Sequence, residues 1–506
     1  MTARRSPLDD ALGAWRRGDL ATAERLLSSH LAQRPKDAKA LGLLGTVRAR
    51  RGDLAAAADL LEKATRLDPK DAGARFNLGN VQRNQGRTAD AVAAFRAAVK
   101  LAPRSPEAHV GLAVALLDQG EAKEAEQLCR RAIGLKADLA DAHNTLGIAL
   151  RAQDRPKEAE AAFSAALTHA PRHGAALSNL GNLLSATGRA ADAVEVYSQA
   201  LAADPDNPDT QYNLGNTLFA LKRVDEAEQA LRGTLARNPR HGPALGALAN
   251  VLVGRGRHDE AVGLFREALG AAPDSPDILY NLANTQRDLG RADEAEATYR
   301  RVLDLNPNHA QARQDLLLAS CYNPAHTPAE VFALHRKQGD AIAAAAGRAR
   351  TRHANAPDPA RRLRVGYLSP DLRRHPVAGF MEPVLAHHDP GVVEVTGYAA
   401  VTHPDATTER LRALAHHWVN VTPLSDEALA DRIAADGIDI LVELAGHTGG
   451  SRLSAVALRP APVQVSYLGY PATTGLSAIG YRLTDAACDP PGTEAFHTER
   501  LVRLDG

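Results

Sequence analysis

Proline recurs every 34 residues through the first three-fifths of this 506-residue chain, and then the recurrence stops. The beats are Pro35, Pro69, Pro103, Pro171, Pro205, Pro239, Pro273 and Pro307, and Ala137 fills the one position where proline is missing. A fixed period of this length marks a stack of similar helix-turn-helix units, none of which buries its apolar face except against its neighbours. Proline cannot continue a helix, so it closes each unit. The units begin at Asp37, Asp71, Ser105, Leu139, His173, Asn207, His241 and Ser275, and Ala3–Lys36 form an atypical unit ahead of them. Aromatic residues make up only 4% of the chain, as suits an alanine-rich helical array.

Within each unit a small residue follows a leucine in the first helix: Gly45, Gly79, Ala113, Gly147, Gly181, Gly215, Ala249 and Ala283. A small side chain there lets the two helices of one unit approach closely. An acidic residue followed by alanine comes later, as in Asp90-Ala91, Glu124-Ala125, Glu158-Ala159 and Glu226-Ala227. These residues resemble the tetratricopeptide repeat (TPR), and the resemblance covers residues 3–308 in about nine repeats. Such an array is an all-α superhelix with a concave groove. Asparagines recur on the first helix at Asn77, Asn179, Asn213 and Asn281, and one turn further on at Asn80, Asn182, Asn216, Asn250 and Asn284. Asparagine is a mediocre helix former, so its recurrence is not explained locally. Two readings stand. The amides could hydrogen-bond the backbone of an extended peptide in the groove, since an amide both donates and accepts. They could instead bond within their own repeats. Leu43, Gly111, Thr145 and Ala247 interrupt the first set.

Lys plus Arg and Asp plus Glu each number 60, so charge gives no support to nucleic-acid binding. The arginine-rich stretches Arg348–Arg352 and Arg361–Arg364 read as linker charges. Cys129, Cys321 and Cys488 are isolated and odd in number, which fits neither a disulfide framework nor a zinc site. A reducing, cytoplasmic setting is expected. The first residues, MTARRSPLDDALGAW, hold no apolar stretch of signal-peptide length, and no apolar run is long enough to span a membrane.

After Asn308 the period fails. His309–Cys321 reads as a closing helix, and Thr327-Pro328-Ala329-Glu330 opens another that should run to about Ala346, with threonine as cap and proline at the first turn. Residues 309–346 are thus capping helices, and 347–361 a linker. From Arg362 short apolar runs alternate with helical stretches. Leu363–Leu368, Val392–Val401, Ile438–Leu444, Val463–Leu468 and Tyr481–Thr484 read as strands, and Asp405–His417 and Asp426–Ala435 as helices. This alternation implies a parallel α/β sheet of Rossmann type over residues 362–506, with ligands beyond the carboxyl ends of its strands.

The loops at those ends carry unusual residues. Ser369-Pro370-Asp371-Leu372-Arg373-Arg374-His375-Pro376 follows the first strand, Ala445-Gly446-His447-Thr448-Gly449-Gly450 the third, and Gly469-Tyr470-Pro471-Ala472-Thr473-Thr474-Gly475 the fourth. An acid and imidazoles on one sheet edge could move a proton near neutral pH. Glycines there allow close backbone approach and leave peptide N–H groups for anionic oxygens. Each residue also has a plain structural reading: Asp371 as a turn or helix cap, His375 as a loop histidine bonded to backbone, the glycines as turn formers. Their joint placement favours a group-transfer site.

TPRs followed by RLRVGYLSPDLRRHPVAGF, DGIDILVELAGHTGG, LRPAPVQVSYLGYPATTG and YRLTD resemble the O-linked N-acetylglucosamine (O-GlcNAc) transferases, and the His447-Thr448 pair is similar to the bacterial branch. The resemblance implies inverting transfer of GlcNAc from UDP-GlcNAc to Ser or Thr of proteins held by the TPR groove, with no metal or other cofactor. It implies a GT-B catalytic region of two Rossmann-like lobes with the site between them. It places Asp371 and His375, from the S-x-D-x-x-x-H-P motif, as catalytic residues by the acceptor hydroxyl and sugar phosphate. It puts Leu468, Gly469, Tyr470, Pro471, Thr473 and Gly475 at the border of the GlcNAc pocket, alongside Gly446, His447 and Thr448. Arg374 stands where some relatives have asparagine, and His326 lies near a region where some have a histidine beside the site. Relatives would continue through a second lobe carrying most of the UDP site, whereas this sequence stops at Gly506 just after a strand, with the second catalytic lobe absent. Catalysis by these residues alone is therefore not expected, and a non-catalytic TPR scaffold is the alternative. Expected partners are acceptor proteins and a UDP-sugar, not nucleic acid or membrane, and the repeats could also join copies into a homo-oligomer.

Overall fold

The computed structural model describes residues 7–358 and 360–504. The chain divides into two compact units, Met1–Ala247 and Leu248–Gly506.

The first unit is a run of antiparallel helix pairs, among them Ala38–Arg50 with Leu54–Leu67 and Ala140–Arg151 with Pro156–His169. The residues that open the repeats are the N-caps of their first helices. Asp37 accepts from the Ala40 N–H at 3.1 Å, Asp71 from Ala74 at 2.9 Å, and Asn207 from Thr210 at 3.0 Å. Leu139 has no side chain to cap with and makes no such bond. Left-handed glycines such as Gly52 and Gly86 turn the chain between the two helices, but Asp154 and Lys222 take that conformation without being glycine. The small residue inside each pair has the role its position suggested. A Cβ at Gly147 would lie 2.5 Å from Cε1 of Phe163, a ring that is fully buried. Gly147→Ala is therefore expected to destabilise this unit by about 1–3 kcal/mol. Urea unfolding followed by far-UV circular dichroism checks this, and an unmoved midpoint would mean that the pair tolerates a wider spacing.

The asparagines divide by position. Asn77 Nδ2 donates to Thr46 Oγ1 at 3.0 Å and Asn179 Nδ2 to Asn144 Oδ1 at 3.0 Å, so these amides bond to the preceding repeat rather than to their own. The side chains of Asn213 and Asn281 make no hydrogen bond among the described residues. One turn on, Asn182 accepts from Tyr197 and Asn284 from Tyr299, each at 2.6 Å and inside its own repeat.

In the second unit the last repeats lead into the helices Ala310–Tyr322 and Pro328–Ala346. Thr327 caps the latter in a reciprocal box with Glu330, as its T-P-A-E sequence suggested. The segment that follows, read as a linker, is tied down at several points. Asn355 Nδ2 reaches Asp439 at 2.6 Å, and Arg361 pairs with the same carboxylate.

The sheet has seven strands, all parallel: β1 Leu363–Ser369, β2 Val393–Ala399, β3 His417–Asn420, β4 Ile440–Glu443, β5 Val463–Tyr467, β6 Tyr481–Thr484 and β7 Arg500–Arg503. Their spatial order is β3-β2-β1-β4-β5-β6-β7. Strand β3 was not expected. The helix read as Asp405–His417 ends at Leu414, and the β-branched and aromatic run His-Trp-Val-Asn pairs with β2 instead. Helices cover both faces. Pro376–Ala386 and Ala406–Leu414 pack with Val365, Tyr367, Val395 and Val442 on one side. Asp426–Ala435, Leu453–Ala457 and Ile342 of the long Pro328–Ala346 helix pack with Leu368, Tyr398 and Leu441 on the other. Among the described residues no helix is long and apolar enough to cross a membrane.

Candidate functional site

Strand order reverses between β1 and β4, because β1 is flanked by β2 on one side and by β4 on the other. A reversal of this kind opens a crevice at the carboxyl ends of the two strands. The loops after β1, β4 and β5 all leave the sheet at that edge and touch one another. A Cβ on Gly450 would lie 3.0 Å from Pro370, one on Gly446 2.4 Å from Tyr470, and one on Gly469 1.7 Å from the Leu444 carbonyl oxygen.

Asp371 is 9% exposed, and Leu372 beside it is anchored in the core. The Asp371 N–H donates to Ser369 Oγ at 2.9 Å, which fixes the turn while leaving the Asp371 carboxyl unspent. Asp371 caps no helix. His375 does: its Nδ1 accepts from the Val377 N–H at 3.3 Å at the start of Pro376–Ala386. That bond assigns the proton of the neutral ring to Nε2, which lies 3.8 Å from Asp371 Oδ1. Burial raises the proton affinity of Asp371 above the ordinary carboxylate range, against the opposing pull of His375 and Arg373. The Arg374 N–H donates to Asp405 at 2.8 Å, so the basic pair in this loop is held by its backbone with both side chains exposed.

After β4, Glu443 holds the next turn. It is 2% exposed, and its two oxygens accept from the Ala445 and Gly446 N–H groups, each at 2.8 Å. Burial pushes its carboxyl up to about 7, against the two N–H bonds, and the charges of Asp371 and Glu499 add to the rise. Its one signal in the sequence is an acid inside the apolar run IDILVEL. Thr448 spends its hydroxyl on the Ala445 carbonyl at 2.9 Å and so closes the same turn. His447 is 3% exposed, and its Nε2 donates to the Thr474 carbonyl at 2.7 Å. Burial brings it down to about 4, so the ring is neutral at physiological pH.

Residues 468–475 are clamped from three sides. Leu468 takes a left-handed backbone and packs on the core. The Tyr470 hydroxyl donates to His335 Nε2 at 2.8 Å, and the rings of His335, His447 and Tyr470 meet pairwise with centroids 5.5–5.6 Å apart. Arg482 donates to the Tyr470 and Ala472 carbonyls at 3.1 and 3.0 Å and pairs with Asp489. Glu499 accepts from Thr473 Oγ1 at 2.5 Å and from the Thr474 N–H at 2.8 Å. Gly475 meets helix backbone: a Cβ there would sit 2.1 Å from the His335 carbonyl oxygen. Pro471 is exposed. His326 bonds to Glu296 at 2.8 Å. His335, Glu443, Arg482, Asp489 and Glu499 thus support these loops; His335 and Glu499 do so through partners 25 or more residues away, whereas Glu443 holds the turn that directly follows it.

Glu443 gives a pH signature. Its folded-state proton affinity lies above its unfolded value, so the folded state binds more protons between about pH 4.5 and 7. Its stabilising share is present below that window and is lost as pH rises through 7. Relative to the wild type, Glu443→Gln should therefore gain up to about 3 kcal/mol across the window, on top of a constant penalty for turning an amide donor on a backbone N–H. Thermal unfolding of both proteins from pH 4.5 to 7.5 measures the difference, and parallel curves would refute the assignment.

Residues 344–505 match the model of glycosyl transferase family 41. Two tetratricopeptide-repeat models match residues 8–72, 76–140 and 144–208, and 184–251 and 252–321. The probable UDP-N-acetylglucosamine–peptide N-acetylglucosaminyltransferase SPINDLY of Arabidopsis thaliana is 39% identical over 204 residues, which is 40% of this chain and 22% of that protein. The UDP-N-acetylglucosamine–peptide N-acetylglucosaminyltransferase of Caenorhabditis elegans is 40% identical over 147 residues, 28% of this chain and 13% of that protein. A solved O-GlcNAc transferase mutant from Thermobaculum terrenum is 35% identical, with a TM-score of 0.49 over 59% of this chain and 57% of that one. The chain therefore spans less than a quarter of the length of these curated relatives. The chain thus joins a run of tetratricopeptide repeats to a region, residues 344–505, that matches glycosyl transferase family 41.

Proposed function

We propose that this chain carries the acceptor-side lobe of a protein O-GlcNAc transferase, which moves N-acetylglucosamine from UDP-GlcNAc to a Ser or Thr hydroxyl of proteins that the repeats hold. The observation that carries this reading is Asp371. It is a mostly buried carboxyl with raised proton affinity and no bond of its own, set beside His375 at the reversal of the sheet. The names of the Arabidopsis and Caenorhabditis relatives support the donor and the class of acceptor.

The step is a displacement at the anomeric carbon. The acceptor oxygen forms a bond to that carbon on the face opposite the nucleotide, inverting the centre. The bond to the diphosphate oxygen breaks, and its electron pair leaves with UDP. The hydroxyl proton passes to Asp371, whose raised affinity makes it a better acceptor than an ordinary carboxylate. His375 keeps Nε2–H toward Asp371, because its Nδ1 is engaged by the helix start. It therefore turns an N–H toward the carboxylate that takes the proton. The Leu468, Gly469, Tyr470, Pro471, Thr473 and Gly475 loop and the Gly446–Thr448 turn border the sugar in this reading, and their many clamps keep that wall rigid.

The test is incubation of the native protein from its own cells with UDP-GlcNAc and a Ser/Thr-rich acceptor, followed by intact-mass analysis. Addition of N-acetylhexosamine to the acceptor is expected. Acceptor retained but never modified would leave a binding scaffold and overturn the transferase reading.

A further inference from the structure

Arg482, on β6, is a charged side chain sealed inside the lobe, 8% exposed, with all three guanidinium nitrogens spent. Its Nε donates to Asp489 Oδ2 at 2.9 Å, one terminal nitrogen to the Ala472 carbonyl at 3.0 Å, and the other to the Tyr470 carbonyl at 3.1 Å. Asp489 is 7% exposed and is held in turn by Thr484 Oγ1 at 2.6 Å and by His497 Nε2 at 3.2 Å. Burial alone would raise the Asp489 carboxyl, but its bonds to His497, Thr484 and Arg482 outweigh burial and hold it well below the usual carboxylate range. A buried ion pair is a poor source of stability, because desolvation cancels most of the attraction. What sets this one apart is its geometry. A planar fork reaches two carbonyls of one loop at once, which a lysine cannot do.

The consequence lies on the other side of the loop. The peptide joining Ala472 to Thr473 is trans, so its N–H points opposite to its C=O. The Ala472 carbonyl faces inward to Arg482, and the Thr473 N–H of the same peptide therefore faces away from it. That N–H has no partner among the described residues, although Thr473 is 1% exposed. The Thr473 hydroxyl is fully engaged: it donates to Glu499 and accepts from the Gly475 and Thr498 N–H groups. An unpaired N–H on a buried residue is rare. Pro471, Ala472 and Thr473 are part of the wall of a 290 Å3 cavity, so this donor has a space in which to meet a ligand.

We infer that Arg482 is a positioning residue: through the Tyr470 and Ala472 carbonyls it locks this peptide so that the Thr473 N–H is offered to an oxygen of the donor sugar. The inference rests on the reading above in which this loop borders the sugar. Without the lock the peptide can turn over, and a carbonyl oxygen then stands where the sugar oxygen needs a donor. Asp489, fixed by Thr484 and His497, keeps the guanidinium itself from moving.

The test compares the wild type with Arg482→Lys, both made in the protein's own cells, with UDP-GlcNAc as the probe. Lysine keeps a cation beside Asp489 but reaches at most one of the carbonyls, and a melting curve verifies that the variant folds. We expect the donor KM to rise about tenfold, the worth of one hydrogen bond, with kcat and the acceptor KM within about twofold. A merely structural clamp would lower the melting temperature and leave the donor KM alone. Hydrogen exchange of the wild type, resolved to single residues by mass spectrometry, needs no variant and decides alone should Arg482→Lys not fold. Saturating UDP-GlcNAc should slow exchange of the Thr473 amide about tenfold or more, while the Thr474 amide, already bonded to Glu499, changes little. An unchanged donor KM in folded Arg482→Lys, or a Thr473 amide indifferent to bound donor, overturns the inference and leaves the transferase reading standing. UDP-GlcNAc that neither binds nor turns over removes both.

Discussion

Transfer by Asp371→Asn is expected to fall at least about a hundredfold, with the fold unchanged. The turn that carries residue 371 is held by its own backbone N–H on Ser369 Oγ and by Leu372 in the core, so an amide in place of the carboxyl leaves it standing. In the proposed mechanism, what disappears is the proton acceptor. The wild-type rate should also decline as pH falls through the proton affinity of Asp371, which burial has raised, and this acid limb should be missing from the residual activity of the variant. His375 needs a more careful variant. His375→Ala removes the helix cap as well as the ring, and a lost cap alone costs about 1 kcal/mol. Asparagine caps a helix well, so His375→Asn keeps the start of Pro376–Ala386 and removes only the group facing Asp371. A strong rate loss in His375→Asn with an unchanged melting temperature is the expected result. Full activity in both Asp371→Asn and His375→Asn would sink the site. Initial rates at saturating donor across pH 5–9, with circular dichroism of each variant, decide the matter.

Gly475→Ala is expected to remove the second unit from the folded, soluble fraction, or to weaken it by about 3–5 kcal/mol. Two effects act together. Gly475 has φ +66°, where an L side chain is strained, and a Cβ there would lie 2.1 Å from the His335 carbonyl oxygen. The obstacle is backbone on both sides, since Gly339 of the same helix would place its own Cβ 2.1 Å from the Gly475 carbonyl oxygen. Neither partner can swing aside as a side-chain tip could. The consequence would reach the site, because this helix carries His335, whose ring fixes Tyr470. Gly449→Ala is the control, as nothing lies within 4 Å of a Cβ there. Urea unfolding followed by tyrosine fluorescence gives the comparison. Equal midpoints for the wild type and Gly475→Ala would show that the helix does not rest on this loop.

The repeats were legible because their physics is local and repeated. The cap, the small residue and the closing proline each lie within one 34-residue unit, and stacking makes the same demand every time. Strands β1, β2, β4, β5 and β6 were legible as apolar runs between turn signals. Strand β3 was not, since Ala-His-His-Trp-Val-Asn-Val continues an amphipathic helix on paper, and only the free edge of β2 draws it into the sheet. The asparagine question was open for a similar reason. Whether an amide faces a ligand or the next repeat depends on a neighbour more than 30 residues away, and Asn77 and Asn179 turned out to have found one.

The sequence by itself determined the stack of repeats, the parallel sheet behind it and the three loops that hold Asp371, His375, His447 and the LGYPATTG run. Each of these follows from periodicity, local propensity and the rule that ligands gather at the carboxyl ends of parallel strands. Only the tertiary structure decided what those residues can do. It put Asp371 out of water and left its carboxyl unbonded, tied His375 to a helix start, and sealed Glu443 beneath the turn that bears His447. It also brought Arg482 of β6 beneath the Tyr470 and Ala472 carbonyls. Burial, proton affinity and hydrogen-bond partners are set by contacts between distant segments, so no local reading of the chain contains them.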